Sequence, residues 1–519
     1  MRILTIAAIV LSVPGLLLAG RYNLHMFQLD SYMNVEHMAW LKKNWKKQGL
    51  LLMQLALGVL AIFVRHVATF SVLIIMDLII TKYYFYLKKN NTKKKLVYTM
   101  RVRRQIATNI ILAAVIIALV DIFAGFGYLP GTLAVITGLQ MFNLFVIVVI
   151  NKPLEKMVTN HFINDAKRRL HEVPDLKIIG ITGSYGKTSM KYYLQTLLQD
   201  KFNVLITPES YNTPMGIVKT IRSSLKPTHE LFICEMGAKY VGDIKEICDI
   251  VHPDHGVISS IGPQHLETFG NMDNIISTKF ELADAIPEGG MLFLNGDNEY
   301  ITGNSKKYSS VFYRSKSSGD GYTTSDVSLS QLGTEFTVMA PSGESERFQM
   351  KLVGEHNIIN VVGAIAVANS FGIPLKSLKT SVRRIQPVQH RMQMIRRGNV
   401  TIIDDAYNSN PVGSKAAVET LNMLEGVRIL VTPGMVELGR DEDDFNYKFG
   451  TYAAQNCDYI LLVGKKHTEP IYKGVMDSGF PQEKCVVFDK LEEALSYAYS
   501  IKGEGHKYIL LENDLPDNY

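Results

Sequence analysis

Cysteine is scarce in this chain. Four residues, Cys234, Cys248, Cys457 and Cys485, are scattered over 519 positions with no C-x-x-C pair among them. That spacing excludes a disulfide framework and a zinc site, and reads as reduced thiols in a cytosolic domain. Repeats with a period of about 20–50 residues and low-complexity tracts are absent as well. The net charge is only +6, and much of the excess lies beside apolar runs rather than in one basic patch. No nucleic-acid partner is therefore expected.

What the chain does have is uneven hydrophobicity. Its length suggests several domains. The first 150 residues hold most of the continuous apolar runs, at about 3–19, 49–64, 67–87, 106–127 and 131–150. Two of these are long enough to cross a bilayer comfortably and the others are marginal. Residues 1–150 are thus expected to form an α-helical transmembrane domain of about five spans. Arg65-His66 interrupts the stretch from Leu50 to Ile80 and predicts a tight hairpin. Residues 3–19 have the length of a signal peptide, but Ala19-Gly20 is a poor cleavage site, and a retained anchor is expected. The loop from Lys88 to Arg104 carries eight basic residues, and the 21–48 segment carries five, Arg21, Lys42, Lys43, Lys46 and Lys47. Lys/Arg excess marks the cytoplasmic side. The expectation is a multi-pass protein of the cell membrane, N-terminus out and C-terminus in. Asp77 and Asp121 fall inside the apolar runs, where a structural hydrogen bond or an interfacial position is expected of them.

Residues 151–173 form a basic connector of helical type, with Lys152, Lys156, Lys167, Arg168 and Arg169. Alternating strand and helix patterns follow, with strands at 177–181, 203–206, 231–234, 257–261 and 291–294 and a β-rich patch over 308–353. They predict an α/β domain with a largely parallel sheet over 174–386. A second, Rossmann-like α/β unit is expected over 387–519, with strands at 401–403, 428–432, 459–463 and 508–511.

The first soluble strand feeds the turn Gly183-Ser184-Tyr185-Gly186-Lys187-Thr188-Ser189, which opens a helix. This is the strand–loop–helix setting of a phosphate-binding loop. Gly183 and Gly186 permit backbone angles closed to other residues, so successive N–H groups can converge on a phosphate. The helix start adds its partial positive charge. Lys187 would hold the β/γ-phosphates and Thr188 would place its hydroxyl on Mg²⁺. An ordinary glycine-rich βα turn would not need the adjacent Lys-Thr. A nucleoside triphosphate is the expected ligand. Glu235 ends the Leu-Phe-Ile-Cys strand, a position suited to a hard cation's oxygen ligand.

The loop Thr182-Gly183-x-x-Gly186-Lys187-Thr188 resembles that of the Mur ligase family, the ATP-dependent amide-bond formers of cell-wall precursor synthesis. Further segments are similar to the D-alanyl-D-alanine-adding branch in order and approximate spacing. They are Glu235-Met-Gly-Ala, Gln264-His265-Leu-Glu267, Thr278-Lys279-Phe-Glu-Leu, Gly354-Glu-His356-Asn357-Ile-Ile-Asn360, His390-Arg391-Met-Gln and Asp404-Asp405-Ala-Tyr407-Asn408-Ser-Asn410-Pro411. The resemblance implies a second Mg²⁺ held with help from His265, and a carbamylated Lys279 acting as a carboxylate-like metal ligand. It also implies that His356, Asn357 and Asn360 contact the base side of the nucleotide. Arg391 and Asp405 would clamp it from the C-terminal domain.

The reaction so implied is stepwise. A substrate carboxylate attacks ATP to give an acyl phosphate, and an amino acid or dipeptide amine then displaces phosphate. Two departures bear on the substrates. A membrane domain stands where the family's UDP-sugar-binding domain is expected. The C-terminal segment lacks a Lys-Gly-Ser-Arg-like stretch, and Thr432-Pro433-Gly434 has Pro-Gly where Gly-Asp is more usual. The expectation is a membrane-anchored ligase acting on a carboxylate-bearing cell-envelope precursor that is lipid-linked or membrane-proximal. A poly-γ-glutamate-like synthetase and a non-catalytic envelope scaffold are the alternatives. The scaffold should have lost Lys187, Glu235 or Lys279, and all three are present.

Overall fold

A computed structural model describes the chain apart from residues 1, 31, 91–94, 210, 331–332, 353, 407–409, 437, 504 and 514–519, and apart from the side chains of 89–90, 329–330 and 355–356. Two compact units divide it, residues 1–160 and 161–515.

The first unit is helical: α1 (Arg2–Leu29), α2 (Asn34–Lys43), α3 (Gly49–Phe63), α4 (Val67–Asn90), α5 (Met100–Phe123), α6 (Leu129–Gly138) and α7 (Gln140–His171), whose last residues run into the second unit. Four stretches are long and apolar enough to cross a membrane: Arg2–Leu29, Trp45–Phe63, Val67–Lys88 and Met100–Phe123. The expected hairpin at Arg65-His66 is present, between α3 and α4. The fifth apolar run, 131–150, is not one helix. The helices Phe126–Gly138 and Gln140–His171 meet at 79° and make a fifth crossing only if taken as one broken span. Gly138, a weak helix former, ends the shorter helix at the break.

Missing side chains bring the helices of this unit together. A Cβ on Gly58 of α3 would lie 2.7 Å from Val135 N, and one on Gly131 of α6 would lie 2.9 Å from Gly58 O. Backbone therefore touches backbone, as small residues allow. Two pairs of polar side chains meet inside the unit. Gln54 Nε2 donates to Asp77 Oδ1 at 2.7 Å, and His37 Nδ1 lies 2.7 Å from Asp30 Oδ2. Asp121 is exposed on α5.

The second unit holds two six-stranded sheets. The first runs β2-β3-β1-β4-β5-β6 and is parallel throughout, from β1 (Lys177–Thr182), β2 (Val204–Ile206), β3 (Leu231–Glu235), β4 (His255–Ile258), β5 (Leu292–Asn295) and β6 (Val311–Tyr313). The β-rich patch forms a small antiparallel sheet of β7 (Thr323–Ser330), β8 (Gly333–Met339) and β9 (Ser345–Met350). The last sheet runs β10-β11-β15-β12-β13-β14, from β10 (Gln393–Arg397), β11 (Val400–Asp405), β12 (Val427–Thr432), β13 (Tyr459–Val463), β14 (Cys485–Phe488) and β15 (Lys507–Glu512). Only β10 is antiparallel in it. Strands β10 and β14 add to the sequence expectation. Both are short edge strands, and the Gln-Met-Ile-Arg-Arg of β10 carries too little apolar character to announce itself.

Sheet order explains the site. β1 lies between β3 and β4, so the loop after β1 meets the carboxyl ends of both neighbours, where open α/β sheets bind ligands. Helix α8 (Lys187–Leu198) leaves that loop and packs on the helix Glu355–Ser370, with Met190, Leu194, Val361 and Ile365 in one buried cluster. A Cβ on Gly363 would lie 2.6 Å from the Met190 side chain, so this glycine permits the close approach.

Candidate functional site

The loop between β1 and α8 is anchored from β4. Ser184 N donates to Ser260 O at 2.6 Å, Ser184 Oγ to Gly262 O at 2.9 Å, and Ser259 Oγ to Tyr185 O at 2.5 Å. The Tyr185 hydroxyl donates to Pro263 O at 2.6 Å. Gly183 (φ 148°) and Gly186 (φ 81°) supply the expected left-handed backbone. A Cβ on Gly186 would lie 2.6 Å from Asn360 Oδ1, so the loop and the helix bearing Asn360 touch there. Lys187 Nζ donates to Gly183 O at 2.5 Å and to Ser184 O at 3.2 Å, folded over the loop. Burial lowers its amine to about 8, with Glu235 opposing the shift and Arg391 adding to it.

Thr188 and Glu235 meet as the sheet order requires. Thr188 Oγ1 donates to Glu235 Oε1 at 3.0 Å, and Asn212 Nδ2 reaches the same oxygen at 3.1 Å. The other oxygen, Oε2, lies 2.9 Å from Lys191 Nζ. Lys191 is fully buried and also donates to Glu209 O at 2.5 Å. Burial pushes Glu235 up, but Lys191 and Lys187 outweigh it and hold the carboxylate below its ordinary range. A hydroxyl and a carboxylate converging beside the loop are hard oxygen donors, and they fit one Mg²⁺.

The second expected metal position is less complete. Lys279 is buried, its Nζ 5.7 Å from the centre of the Phe269 ring, and Phe269 N donates to His265 O at 3.0 Å. His265 holds a left-handed backbone (φ 52°) at the start of the turn Leu266–Phe269. Burial lowers the Lys279 amine to about 7, with the charge of Lys187 adding to the shift. Among the described residues no group of three His, Cys, Asp or Glu could hold an ion. A modified Lys279 and substrate would add oxygens to a second site there.

A cavity of about 260 Å³ lies beside the loop. Tyr185, Gly186 and Ser189 line one side, with Asn357 and Asn360 from the helix Glu355–Ser370, and Arg391 and Asp405 line it from the C-terminal domain. Tyr193 donates its hydroxyl to Asn357 Oδ1 at 2.8 Å. Asp405 Oδ1 accepts from Met392 N at 3.1 Å, and burial raises its carboxyl to about 6 against the pull of Arg391. Asn410 caps the helix Pro411–Asn422 through Gly413 N at 2.8 Å, with proline at its first position. The side chain of His356, together with Tyr407 and Asn408, lies outside the described residues.

Sequence reasoning missed Lys191, Asn212 and Glu512. Lys191 stands four positions after Lys187, one helical turn on, which places both on one face of α8. Glu512 ends β15, lines the cavity and accepts from Thr432 Oγ1 at 3.0 Å. Nearby, Asn513 Nδ2 donates to Gly434 O at 2.6 Å, which ties the Pro433-Gly434 turn to the end of β15.

Two family models match this chain: the Mur ligase middle domain over residues 181–368, and the Mur ligase glutamate ligase domain over 390–511. The UDP-N-acetylmuramoyl-tripeptide–D-alanyl-D-alanine ligase of Escherichia coli K12 is 27% identical over 333 residues, 61% of this chain and 73% of that protein. Its namesake in Bacillus subtilis 168 is 31% identical over 304 residues, 58% of this chain and 65% of that protein. In fold, the chain is similar to MurF from Acinetobacter baumannii, with a TM-score of 0.63 at 24% identity, covering 70% of this chain and 78% of that one. A MurF ligase from Thermotoga maritima solved with ADP gives 0.62 at 23% identity, covering 69% and 80%. The chain thus spans about two thirds of the length of the curated relatives it matches, and residues 1–180 fall outside both family models.

Proposed function

The chain belongs to the Mur ligase family of ATP-dependent amide-bond ligases, and from that premise we propose that it joins an amino acid or dipeptide to a carboxylate of a cell-envelope precursor at a membrane. One observation carries the reading: Thr188 and Glu235 converge at 3.0 Å beside a glycine-shaped loop whose Lys187 is retained. A scaffold would have no need of a carboxylate held ionised beside a phosphate loop.

In this reading the loop's N–H groups and Lys187 take the β/γ-phosphates of ATP. Thr188 and Glu235 would hold Mg²⁺, which when bound would neutralise phosphate charge; His265 and a carbamylated Lys279 would support a second ion. Lys187 lies close enough to feel both Glu235 and Arg391. Its charge opposes the crowding of a substrate carboxylate against the γ-phosphate. Attack by that carboxylate breaks the γ-phosphate's bond to ADP and forms an acyl phosphate. The amine then attacks the acyl carbon and phosphate leaves. The protein's share is mainly positioning and charge neutralisation. His356, Asn357 and Asn360 are assigned to the base side of the nucleotide, and Arg391 and Asp405 to its clamp. Since Lys187 and Asp405 belong to different domains, productive binding requires both domains to be held around one cavity.

D-alanyl-D-alanine is the amine that the relatives' names specify, and it is the first candidate here. The acceptor is not carried across, because residues 1–180 lie outside the family models. The apolar helices of that region favour a lipid-linked acceptor. The test is phosphate release by detergent-purified protein with D-alanyl-D-alanine and single amino acids, with and without a membrane-lipid extract. Release that needs both an amine and the extract, and is lost in Lys187→Ala, is expected. Release with a soluble UDP-muramyl tripeptide alone would refute the lipid-linked acceptor, and silence throughout would refute the ligase.

A further inference from the structure

Basic side chains converge at one end of the helical unit. A cavity of about 310 Å³ is lined there by Arg21 and His25 of α1, Lys88 of α4, and Lys95 from the segment before α5, with Tyr22 and Tyr84 also on its wall. Among the described residues, no Asp or Glu lines it. Like charges gathered round one cavity repel unless an anion sits among them. The three segments that bring them together are far apart in sequence but held by close packing. Gly15 of α1 lets Ile80 and Thr81 of α4 approach to 3.3 Å of where a Cβ would be. These are also the helix ends that the Lys/Arg distribution assigns to the cytoplasmic side.

A second, mainly apolar cavity of about 130 Å³ also borders Arg21, with Asn109 and Gln140 among its lining residues. Leu17 and Leu24 of α1 and Ile106 and Ile110 of α5 line it. Leu17 and Ile110 are 55% and 53% exposed, so it opens on the outside of the helical unit. Among the described residues Arg21 alone borders both cavities, and its Nε donates to Tyr98 Oη at 3.3 Å. A basic recess that shares Arg21 with a mainly apolar groove between membrane-type helices suits an amphiphile with an anionic head.

We propose that Arg21, Lys88 and Lys95 bind the phosphate headgroup of a membrane lipid, with the start of its hydrocarbon chain lying against Leu17 and Ile110. This site goes beyond the ligase reading and does not depend on it, because its residues belong wholly to the helical unit.

The test uses full-length protein in neutral detergent, with a fluorescent phosphatidic acid, the matching diacylglycerol, and inorganic phosphate as competitor. Binding of the phosphatidic acid about tenfold or more tighter than of the diacylglycerol is expected. Inorganic phosphate at millimolar concentration should leave most of the lipid bound. Arg21→Gln, Lys88→Gln and Lys95→Gln together should weaken binding about tenfold or more, whereas Lys42→Gln, Lys46→Gln and Lys47→Gln together should change it less than about twofold. Lys95→Gln alone, on an exposed side chain, should weaken binding a few-fold and guards against misfolding of the triple variant. Equal weakening by the control set would mean diffuse surface attraction and overturn the proposal. Full displacement by inorganic phosphate would assign the recess to a soluble ion, and equal binding of diacylglycerol would remove the headgroup's role.

Discussion

Lys191 Nζ lies 2.9 Å from Glu235 Oε2, with both side chains out of water. Breaking such a pair from one side leaves a buried charge uncompensated, at a cost of roughly 3–5 kcal/mol. Lys191→Met should destabilise the second unit by about that much, and Lys191→Met with Glu235→Gln should recover a large part of it. Pulse proteolysis in urea reads the midpoint. An unchanged midpoint for the single variant would show that the pair carries no stability.

Lys187 spends its donors on loop carbonyls. Burial of its charge opposes what those bonds contribute, so Lys187→Ala should change the unfolding midpoint little while lowering ATP-dependent phosphate release about 100-fold or more. A variant that melts early and loses activity in proportion would make Lys187 a structural residue.

Asp405 titrates in the opposite sense to a salt-bridged carboxylate. Burial raises it to about 6, whereas an unfolded aspartate titrates near 3.9. Between those values the folded chain holds a proton that the unfolded chain has lost, so this group's contribution falls as pH rises. Asp405→Asn removes the titration. Relative to the parent, the variant should gain about 1–3 kcal/mol between pH 4 and pH 7. Urea midpoints at the two pH values give the difference, and one flat with pH would mean that Asp405 titrates normally.

Both tryptophans, Trp40 and Trp45, lie in the helical unit, so their fluorescence reports on that unit alone. Gly58→Val would drive a side chain into the backbone of α6, and overpacking of this kind costs about 1–3 kcal/mol. The fluorescence melting temperature should fall by several degrees. Lys191→Met should leave it unmoved.

The phosphate loop and Glu235 were legible in the sequence because both are local. Glycines, Lys187, Thr188 and a carboxylate at a strand end carry their meaning within a few residues. Lys191 was not. Its spacing from Lys187 is plain, but a lysine on a helix is ordinarily solvated, and only the carboxylate on a neighbouring strand draws this one inside. The bend at Leu139 was hidden for a similar reason. Hydropathy counts apolar residues without recording direction, and α6 is apolar because it is packed, with nearly all of its residues buried. The pairing of Asp405 with Met392 N joins the residue before β10 to the end of β11, and no run of residues announces it.

The order β2-β3-β1-β4 has a consequence for how the protein is made. The helical unit leaves the ribosome first, and β1, with Ile178, Ile179 and Ile181, follows before either of its sheet neighbours exists. At about 5–20 residues per second, synthesis from β1 to the end of β3, its first neighbour, takes several seconds. During that interval an apolar strand waits unpaired, and non-local pairing of this kind is slow. The order of strands in the sheet, rather than their order along the chain, thus sets how long β1 stays exposed during synthesis.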